Sequence, residues 1–330
     1  MKNFRSILSH RILCGPLSSY ISSASMRSLL FILCSLLLFS PAFLFLFTSC
    51  HHSSTDPQVS RGTLTMHELS SSYISSRTIR VWTPDGYPKD APYDVLYMHD
   101  GQMLYDSAVA WNHQEWGIDE VMQNLLDSGR IRPCIVVGID NSEDRIEEYA
   151  PDDVAQYMSS GEQAYAVGEP MGNRYLSFMV KELKPFIDST YDVATTAEHT
   201  FVMGSSCGGL ISSYALCQYP NVFGGAACLS THVTFAHPLS FKNRPEAMDA
   251  YLTYLHERMP EANSRLIYFD CGNETADEAY LDMFGRIDST ILALGYDSVH
   301  YRHLFFPGAA HTETDWQRRL HIPLQFLLAN

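Results

Sequence analysis

A short glycine-rich stretch constrains this chain more than any other part of its sequence. It reads Gly204-Ser205-Ser206-Cys207-Gly208-Gly209, with the frame G-x-S-x-G inside it. The apolar run 199–203 precedes this stretch, and the helix-like segment 210–217 follows it. Strand, tight turn and helix in this order expose a serine oxygen above a parallel sheet. Glycines are needed in such a turn because Cβ atoms would clash with the neighbouring strand and helix.

Alternating strand and helix patterns occupy most of the chain beyond this turn. Apolar runs predict strands near residues 63–69 and 75–83, and then buried strands at residues 94–99, 133–139, 200–204, 225–229, 266–270 and 300–306. Helical patterns fall at residues 116–126, 175–191, 210–218, 246–258, 279–294 and 314–328. This alternation predicts an α/β fold with a mostly parallel central sheet and helices on both faces.

Two segments depart from the alternation. Residues 152–173 are polar and contain glycines, and residues 231–260 are rich in aromatic side chains. Ligands of open α/β sheets bind outside the carboxyl ends of the strands. We therefore expect both segments to shape a pocket at that edge.

The first 49 residues differ from the rest and predict an export signal. They carry four basic residues and no acidic one, and residues 29–47 form an almost unbroken apolar run shortly before Cys50. This pattern resembles a bacterial lipoprotein signal, in which Cys50 becomes the lipidated first residue. Met26-Arg27 makes a better start for the signal than Met1. A retained membrane anchor is the alternative, because the apolar run is long enough to span a bilayer.

The remaining chain divides into a tether, residues 50–62, and a folded domain, residues 63–330. We expect this domain to be exported and anchored at the membrane, as a periplasmic or outer-surface lipoprotein of the cell envelope. The whole chain has a net charge of −15, and its basic signal leaves the exported part more acidic still. An acidic surface repels phosphate backbones, which argues against a nucleic-acid partner.

Metal ligands and redox cysteines are not indicated by the sequence. The histidines do not combine with carboxylates at metal-ligand spacing, so we predict no metal and no cofactor. The cysteines beyond Cys50 lie in apolar contexts without C-x-x-C pairs, which is typical of buried thiols.

A serine hydroxyl needs a base to become a nucleophile, and the base needs an orienting acid. In chains with this turn the order is serine, then Asp or Glu, then histidine. His311 follows the predicted strand 300–306 in a short Gly-Ala loop, where a base would face Ser206. The loop after strand 266–270 carries two candidate acids, Asp277 and Glu274. The neighbouring thiol of Cys207 is the rival nucleophile.

Backbone N–H groups must stabilise the oxyanion that forms when the serine attacks a carbonyl group. The first donor is predicted to be the amide of Cys207, directly after the serine. The second is expected in the loop after strand 94–99, at Gln102. His232 lies in the pocket-shaping segment 231–260 and is a candidate for substrate contact.

Several motifs together resemble the esterase-D-type family of esterases. This family includes enterochelin-esterase-like and feruloyl- or acetylxylan-esterase-like α/β-hydrolases. The resemblance runs from about residue 80 to the C-terminus and rests on residues 95–102, 116–120, 136–141, 145–151, 204–209, 229–232, 272–277 and 308–311, with Trp316 and Leu320. Two departures from the family pattern are Cys207, where many relatives carry methionine, and Asn273, where threonine is common.

The resemblance implies an α/β-hydrolase fold with Ser206 as nucleophile and His311 as base. It favours Asp277 as the acid, with Glu274 as the alternative, and it places Trp116 in a matched motif as a substrate contact. The implied reaction acylates Ser206 and then hydrolyses the acyl-enzyme with water.

The expected function is that of a serine carboxylic-ester hydrolase of the cell envelope, acting on a small-molecule or carbohydrate-linked ester. A siderophore trilactone esterase is a second enzymatic possibility, although the acidic chain argues against an anionic iron complex as substrate. A non-catalytic α/β-hydrolase-like binding protein is the alternative from another class.

A Cys50→Ser variant tests the lipid anchor. Without the thiol no thioether to a lipid can form, so we expect the variant to leave the membrane fraction when cells are lysed and fractionated. The unchanged chain serves as the reference. Unaltered partitioning of the variant with membranes would contradict lipidation at Cys50.

Overall fold

One mixed sheet organises the computed structural model, which describes residues 57–158, 168–233 and 245–330. Its strands are β1 (Thr63–Leu69), β2 (Arg77–Thr83), β3 (Asp94–His99), β4 (Cys134–Ile139), β5 (Thr200–Ser205), β6 (Gly225–Leu229), β7 (Leu266–Cys271) and β8 (Tyr301–Phe305). Their order across the sheet is β1-β2-β4-β3-β5-β6-β7-β8. β1 and β2 pair antiparallel, β2 and β4 pair antiparallel, and all pairs from β4 to β8 are parallel.

The central strands are buried along their whole length. Every residue of β3, β4 and β5 is buried, as continuous apolar runs require when both faces of a parallel sheet are covered. Strand β1 lies at one edge and alternates between exposed and partly buried residues. The strands predicted from the sequence are confirmed, with small shifts at their ends.

Helices cover both faces of the sheet, as predicted. They are α1 (Ile118–Asp127), α2 (Arg145–Glu148), α3 (Gly172–Phe178), α4 (Lys184–Thr190), α5 (Cys207–Gln218), α6 (Pro245–Arg258), α7 (Leu281–Ala293), α8 (Glu313–Arg319) and α9 (His321–Leu328). One hydrophobic cluster packs helices α3, α4, α5, α6 and α7 against one face of the sheet. A second cluster packs α1, α8 and α9 against the other face. Each fully buried large apolar side chain contributes about 1.5–3 kcal/mol of transfer free energy.

Two predicted helices are interrupted in the structure. The single helix expected over residues 314–328 is divided into α8 and α9, because Pro323 has no N–H to donate to the carbonyl of Arg319. The helix expected over residues 175–191 contains a π-helical turn, Met179–Leu183, between α3 and α4. Pro185 stands at the start of α4, where an amide hydrogen is again missing.

Some predictions fall outside the described residues. The export signal 1–49, Cys50 and the first part of the tether are among them, as are the middle of segment 152–173 and residues 234–244 of segment 231–260. No helix among the residues that are described has both the length and the apolar character to cross a bilayer.

The buried carboxyl group of Asp119 and the partly buried one of Glu120 attach the beginning of the described chain to α1. Oδ2 of Asp119 accepts the backbone N–H groups of Ser60, at 2.7 Å, and Arg61, at 3.3 Å. The hydroxyl of Ser60 donates to Glu120. Burial of Asp119, together with its neighbour Glu120, raises the pKa of Asp119 to about 7. The carboxyl group of Asp119 therefore keeps its proton through the mildly acidic range and loses it near neutral pH.

The raised pKa of Asp119 predicts that the stability of the fold depends on pH. The pKa of Asp119 is higher in the folded chain than in the unfolded one, so folding takes up a proton between about pH 4 and about pH 7. The stabilising contribution is complete at the acidic end of this window and is lost as the pH rises through about 7. We expect the Tm to fall between about pH 5 and about pH 8, and to fall less in an Asp119→Asn variant.

Asp127→Asn is the matched control, because Asp127 lies at the other end of α1. Hydrogen bonds from Gln123 and Arg61 lower the pKa of Asp127, so this carboxyl titrates below the tested range. An equal change of Tm with pH in the wild type and in Asp119→Asn would refute the raised pKa of Asp119.

Candidate active site

Ser206 stands on a strained turn between β5 and α5. Its backbone angles, φ 56° and ψ −124°, lie where L-residues rarely occur. A Cβ on Gly204 would come within 2.8 Å of the backbone of Gly208, and a Cβ on Gly209 within 2.8 Å of Thr231 Oγ1. The glycines of the motif are therefore required by the close approach of α5 to the ends of β5 and β6.

The chain that follows β6 holds this turn in place. The N–H of Ser206 donates to the carbonyl of Leu229 at 2.9 Å, and the N–H of His232 donates to the carbonyl of Ser206 at 3.1 Å. The carbonyl of Ser206 is also the first acceptor of α5, because it accepts the N–H groups of Gly209 and Leu210. Contacts on both sides thus maintain the strained conformation.

His311 and Asp277 are joined by a short hydrogen bond. Nδ1 of His311 lies 2.7 Å from Oδ1 of Asp277, which is fully buried. The other oxygen, Oδ2, accepts the N–H of Gly272 and the hydroxyl of Ser230, each at 2.7 Å. Burial acts to raise the pKa of Asp277, but the bond from His311, followed by those from Ser230 and Gly272, outweighs it, and the pKa is lowered.

Glu274, the alternative acid, occupies a different position in the same loop. Its backbone N–H donates to the carbonyl of Ala309, in the loop that carries His311, at 3.0 Å. The residue itself is exposed. No hydrogen bond between the described side chains of Glu274 and His311 is present. The geometry favours Asp277 as the acid.

The loop that carries His311 is fixed by its own hydrogen bonds. The N–H of His311 donates to Thr275 Oγ1 at 2.8 Å, and that of Ala310 donates to Asp315 Oδ2 at 2.9 Å. Thr312 caps α8 by accepting the N–H of Asp315. The imidazole contacts the rings of Tyr280 and Trp316 edge-on.

Ser206 and His311 line the same cavity, whose volume is about 660 Å³. Among the described residues no hydrogen bond joins the Ser206 hydroxyl to the imidazole. Catalytic hydrogen bonds are often long without a ligand and shorten when substrate binds. The arrangement therefore brings the three predicted residues to one edge of the sheet, with the acid and base already paired.

The two predicted oxyanion donors lie in helical segments. Cys207 is the first residue of α5, so its N–H has no acceptor within the helix and lies at the positive end of the helix dipole. Gln102 belongs to the 3₁₀ turn Gly101–Met103, and its side-chain oxygen accepts the N–H of Asn141 at 3.1 Å. The role of both backbone N–H groups in an oxyanion hole stays a prediction.

The two predicted substrate contacts differ in position. Trp116 lines the cavity and stacks on Trp316, with ring centres 5.5 Å apart. His232 is 2% exposed, is hydrogen-bonded to the hydroxyl of Tyr280 and is absent from the cavity lining. The geometry supports a substrate contact for Trp116 and gives no support for one at His232.

An ion pair on the cavity wall was missed by the sequence reasoning. Nε and Nη2 of Arg145 donate to the two oxygens of Asp100 at 2.6 and 2.7 Å, and Asn141 Nδ2 donates to Asp100 at 2.6 Å. Burial acts to raise the pKa of Asp100, but Arg145 outweighs it and the pKa is lowered. The sequence offered one indication of this ion pair. Asp100 directly follows β3 and Asn141 lies just beyond the end of β4, so both come at the carboxyl ends of neighbouring strands.

Trp111 was also missed. It lines the cavity although 77% of it is exposed. Its loop is bonded to the residues after His311, because Asn112 Nδ2 donates to Glu313 at 2.7 Å and Thr314 Oγ1 donates to Gln114 at 2.8 Å.

Neither a metal cluster nor a disulfide is present in the part of the chain that is described. No group of three or more His, Cys, Asp or Glu residues there has the geometry to hold a metal ion. The cysteines within that part are free and buried, as predicted: Cys134, Cys207, Cys217, Cys228 and Cys271. Burial raises the pKa of the Cys207 thiol, which makes it a poor nucleophile.

Comparison with solved structures agrees with the fold. The solved structures of a ferulic acid esterase and of the enterobactin esterase from Shigella flexneri both superpose with a TM-score of 0.59, at 20% and 18% identity. They cover 81% and 82% of this chain, and the matches span 98% and 60% of their own chains. The fold is therefore of the α/β-hydrolase type.

Sequence comparison identifies the family. The uncharacterized protein YbbA of Bacillus subtilis (strain 168) is 25% identical over 171 residues, which are 52% of this chain and 60% of YbbA. The match thus spans less than two thirds of that relative. The family model described as Putative esterase matches residues 70–327. This chain belongs to the Putative esterase family.

Proposed function

We propose that this chain is a serine carboxylic-ester hydrolase with Ser206 as nucleophile, His311 as base and Asp277 as acid. The observation that carries the proposal is the 2.7 Å hydrogen bond between His311 and Asp277, at the wall of the cavity that Ser206 also lines. A protein that only binds ligands would need neither a serine on a strained turn nor a buried carboxylate paired with a histidine.

The reaction would proceed in two halves. Nε2 of His311 takes the proton of the Ser206 hydroxyl as its oxygen attacks the ester carbonyl. The amides of Cys207 and Gln102 are assigned to the oxyanion, and the imidazolium returns its proton to the departing alcohol. Water, deprotonated by His311, then releases the acid from Ser206.

Asp277 fits its role through its charge. Its lowered pKa keeps the carboxylate ionised at neutral pH, so that it fixes the proton on Nδ1 of His311 and stabilises the imidazolium. Nε2 remains free to accept the serine proton. The reaction assigned here requires neither a metal nor a cofactor.

The charges of the cavity favour an uncharged ester. Among the described lining residues, the permanent cation is Arg145, and its guanidinium is already bonded to Asp100. Glu313 adds a further acidic group to the wall. An anionic iron-siderophore complex would find no unpaired cation on these residues, which argues against the trilactone alternative.

The rim of the cavity supports a carbohydrate-linked ester. The exposed indole of Trp111 offers a flat apolar face beside the amides of Asn112 and Gln114. Sugar rings present C–H faces that stack on aromatic side chains and hydroxyls that pair with amides. We assign this rim to the alcohol part of the ester.

We also propose an exported, membrane-anchored location in the cell envelope. This proposal rests on the basic start and apolar run of residues 1–49 and on Cys50. An ester of an extracellular carbohydrate would be met in that compartment.

Ser206→Ala tests the nucleophile. The purified chain should hydrolyse p-nitrophenyl acetate, and it should hydrolyse acetylated or feruloylated sugars faster than a catecholate trilactone. Loss of the hydroxyl removes the attacking oxygen, so kcat should fall by a factor on the order of 10⁴ or more on each substrate that the wild type turns over. Circular dichroism checks that the variant is folded.

Cys207→Ala is the companion variant, because it removes the rival thiol and keeps the backbone N–H. It should retain most of the activity. A folded Ser206→Ala protein with undiminished kcat would remove Ser206 from its assigned role, and a folded but inactive Cys207→Ala protein beside it would move that role to Cys207.

Replacing the two acids separately tests the choice between them. Asp277→Asn leaves the shape of the side chain but removes the charge that orients His311, so kcat should fall by about 10⁴. Glu274→Gln should change kcat by less than about twofold, because Glu274 is exposed and its side chain does not contact the imidazole. The reverse ranking of the two variants would assign the acid to Glu274.

A further inference from the structure

The chain at the end of β6 contacts two members of the candidate triad, Ser206 and Asp277. Leu229 and His232 hold the backbone of Ser206 through the two hydrogen bonds described above. Ser230 lies between them, and its backbone φ of 42° is in the left-handed region that favours glycine. A serine kept in this conformation indicates that its side chain has a use there.

The hydroxyl of Ser230 has three partners and is fully buried. It lies 2.7 Å from Asp277 Oδ2, and 3.0 Å from both Trp316 Nε1 and Arg319 Nη2. An indole N–H and a guanidinium N–H can only donate, so they occupy the two lone pairs of the hydroxyl. Its single hydrogen must therefore point to Asp277.

Arg319 is itself held rigidly. Its Nε and Nη2 donate to the two oxygens of Asp270 at 3.1 and 2.9 Å, and the hydroxyl of Tyr268 donates to Asp270 at 2.9 Å. Asp270 also accepts the N–H of Ser230 through its backbone carbonyl at 2.9 Å. Ser230 is thus fixed from two elements. Asp270 of β7 accepts its backbone N–H, and Trp316 and Arg319 of α8, the helix that follows His311, donate to its hydroxyl oxygen.

We propose that Ser230 is a positioning residue of the reaction. Its hydroxyl holds Oδ2 of Asp277, so that Oδ1 stays aligned with Nδ1 of His311 while the imidazole gains and loses its proton. Through its hydrogen bonds with Trp316 and Arg319 it also connects the loop that carries Asp277 to α8. This inference rests on the proposed role of Asp277.

A purely structural role makes a different prediction. A hydroxyl that only satisfies buried groups would affect stability, and its effect on kcat would not depend on whether residue 277 is charged. A residue that acts through Asp277 loses its effect on kcat once that carboxylate is gone. A double-mutant cycle separates the two cases.

The experiment compares Ser230→Ala, Asp277→Asn and the double variant with the full chain on p-nitrophenyl acetate. Misalignment of the acid should lower kcat of Ser230→Ala by a factor on the order of ten to a hundred. The KM should change by less than about twofold, because Ser230 does not touch the substrate cavity. In the Asp277→Asn background, the same substitution should cost less than about twofold in kcat.

Ser213→Ala is the matched control, since Ser213 is also a fully buried serine whose hydroxyl has hydrogen-bond partners, Leu210 and Tyr251. It should leave kcat unchanged. If Ser230→Ala fails to fold, Ser230→Gly replaces it, because glycine removes the hydroxyl and adopts a positive φ without strain.

The outcomes are distinct. Full activity of Ser230→Ala beside an impaired Asp277→Asn would overturn the inference alone, as would equal losses in both backgrounds of the cycle. A raised KM with unchanged kcat would also overturn it. Full activity of Asp277→Asn would remove the proposed acid, and the inference with it.

Discussion

The left-handed turn at Ser206 is the constraint on which the rest of the site depends. It depends on the close approach of α5 to the ends of β5 and β6, which leaves neither Gly204 nor Gly209 room for a Cβ. Such a backbone costs of order 1–3 kcal/mol and persists only where its surroundings hold it. Here the hydrogen bonds to Leu229 and from His232 do so, which makes the end of β6 part of the site.

Burial of charge at the same edge is the second constraint. Asp100, Asp270 and Asp277 are all buried, and an unpaired carboxylate there would be destabilising. Arg145 pairs with Asp100 and Arg319 with Asp270, whereas Asp277 has neutral donors and a histidine. Asp277 is thus the carboxylate of the three that faces a group able to change its charge. This difference in partners separates a candidate catalytic acid from carboxylates that maintain the fold.

The sequence predicts what depends on local patterns. Continuous apolar runs give the central strands, and the G-x-S-x-G frame gives the turn at Ser206, because both follow from the neighbours of each residue along the chain. Orientation in space does not follow from such patterns. Asp277 and Glu274 are three residues apart in one loop, yet one is buried against His311 and the other is exposed. The role of Ser230 was hidden for the same reason, since its partners come from β7 and α8.

Helix α8 makes the base and the acid interdependent. Thr312 caps this helix directly after His311, and the carboxylate of Asp315 accepts a hydrogen bond from the N–H of Ala310, so the helix start sets the position of the imidazole. Further along the same helix, Trp316 and Arg319 reach the hydroxyl that bonds Asp277. A shift of α8 would therefore move the base and the support of the acid together. The burial of Trp316 and Arg319 on this short helix agrees with this coupling.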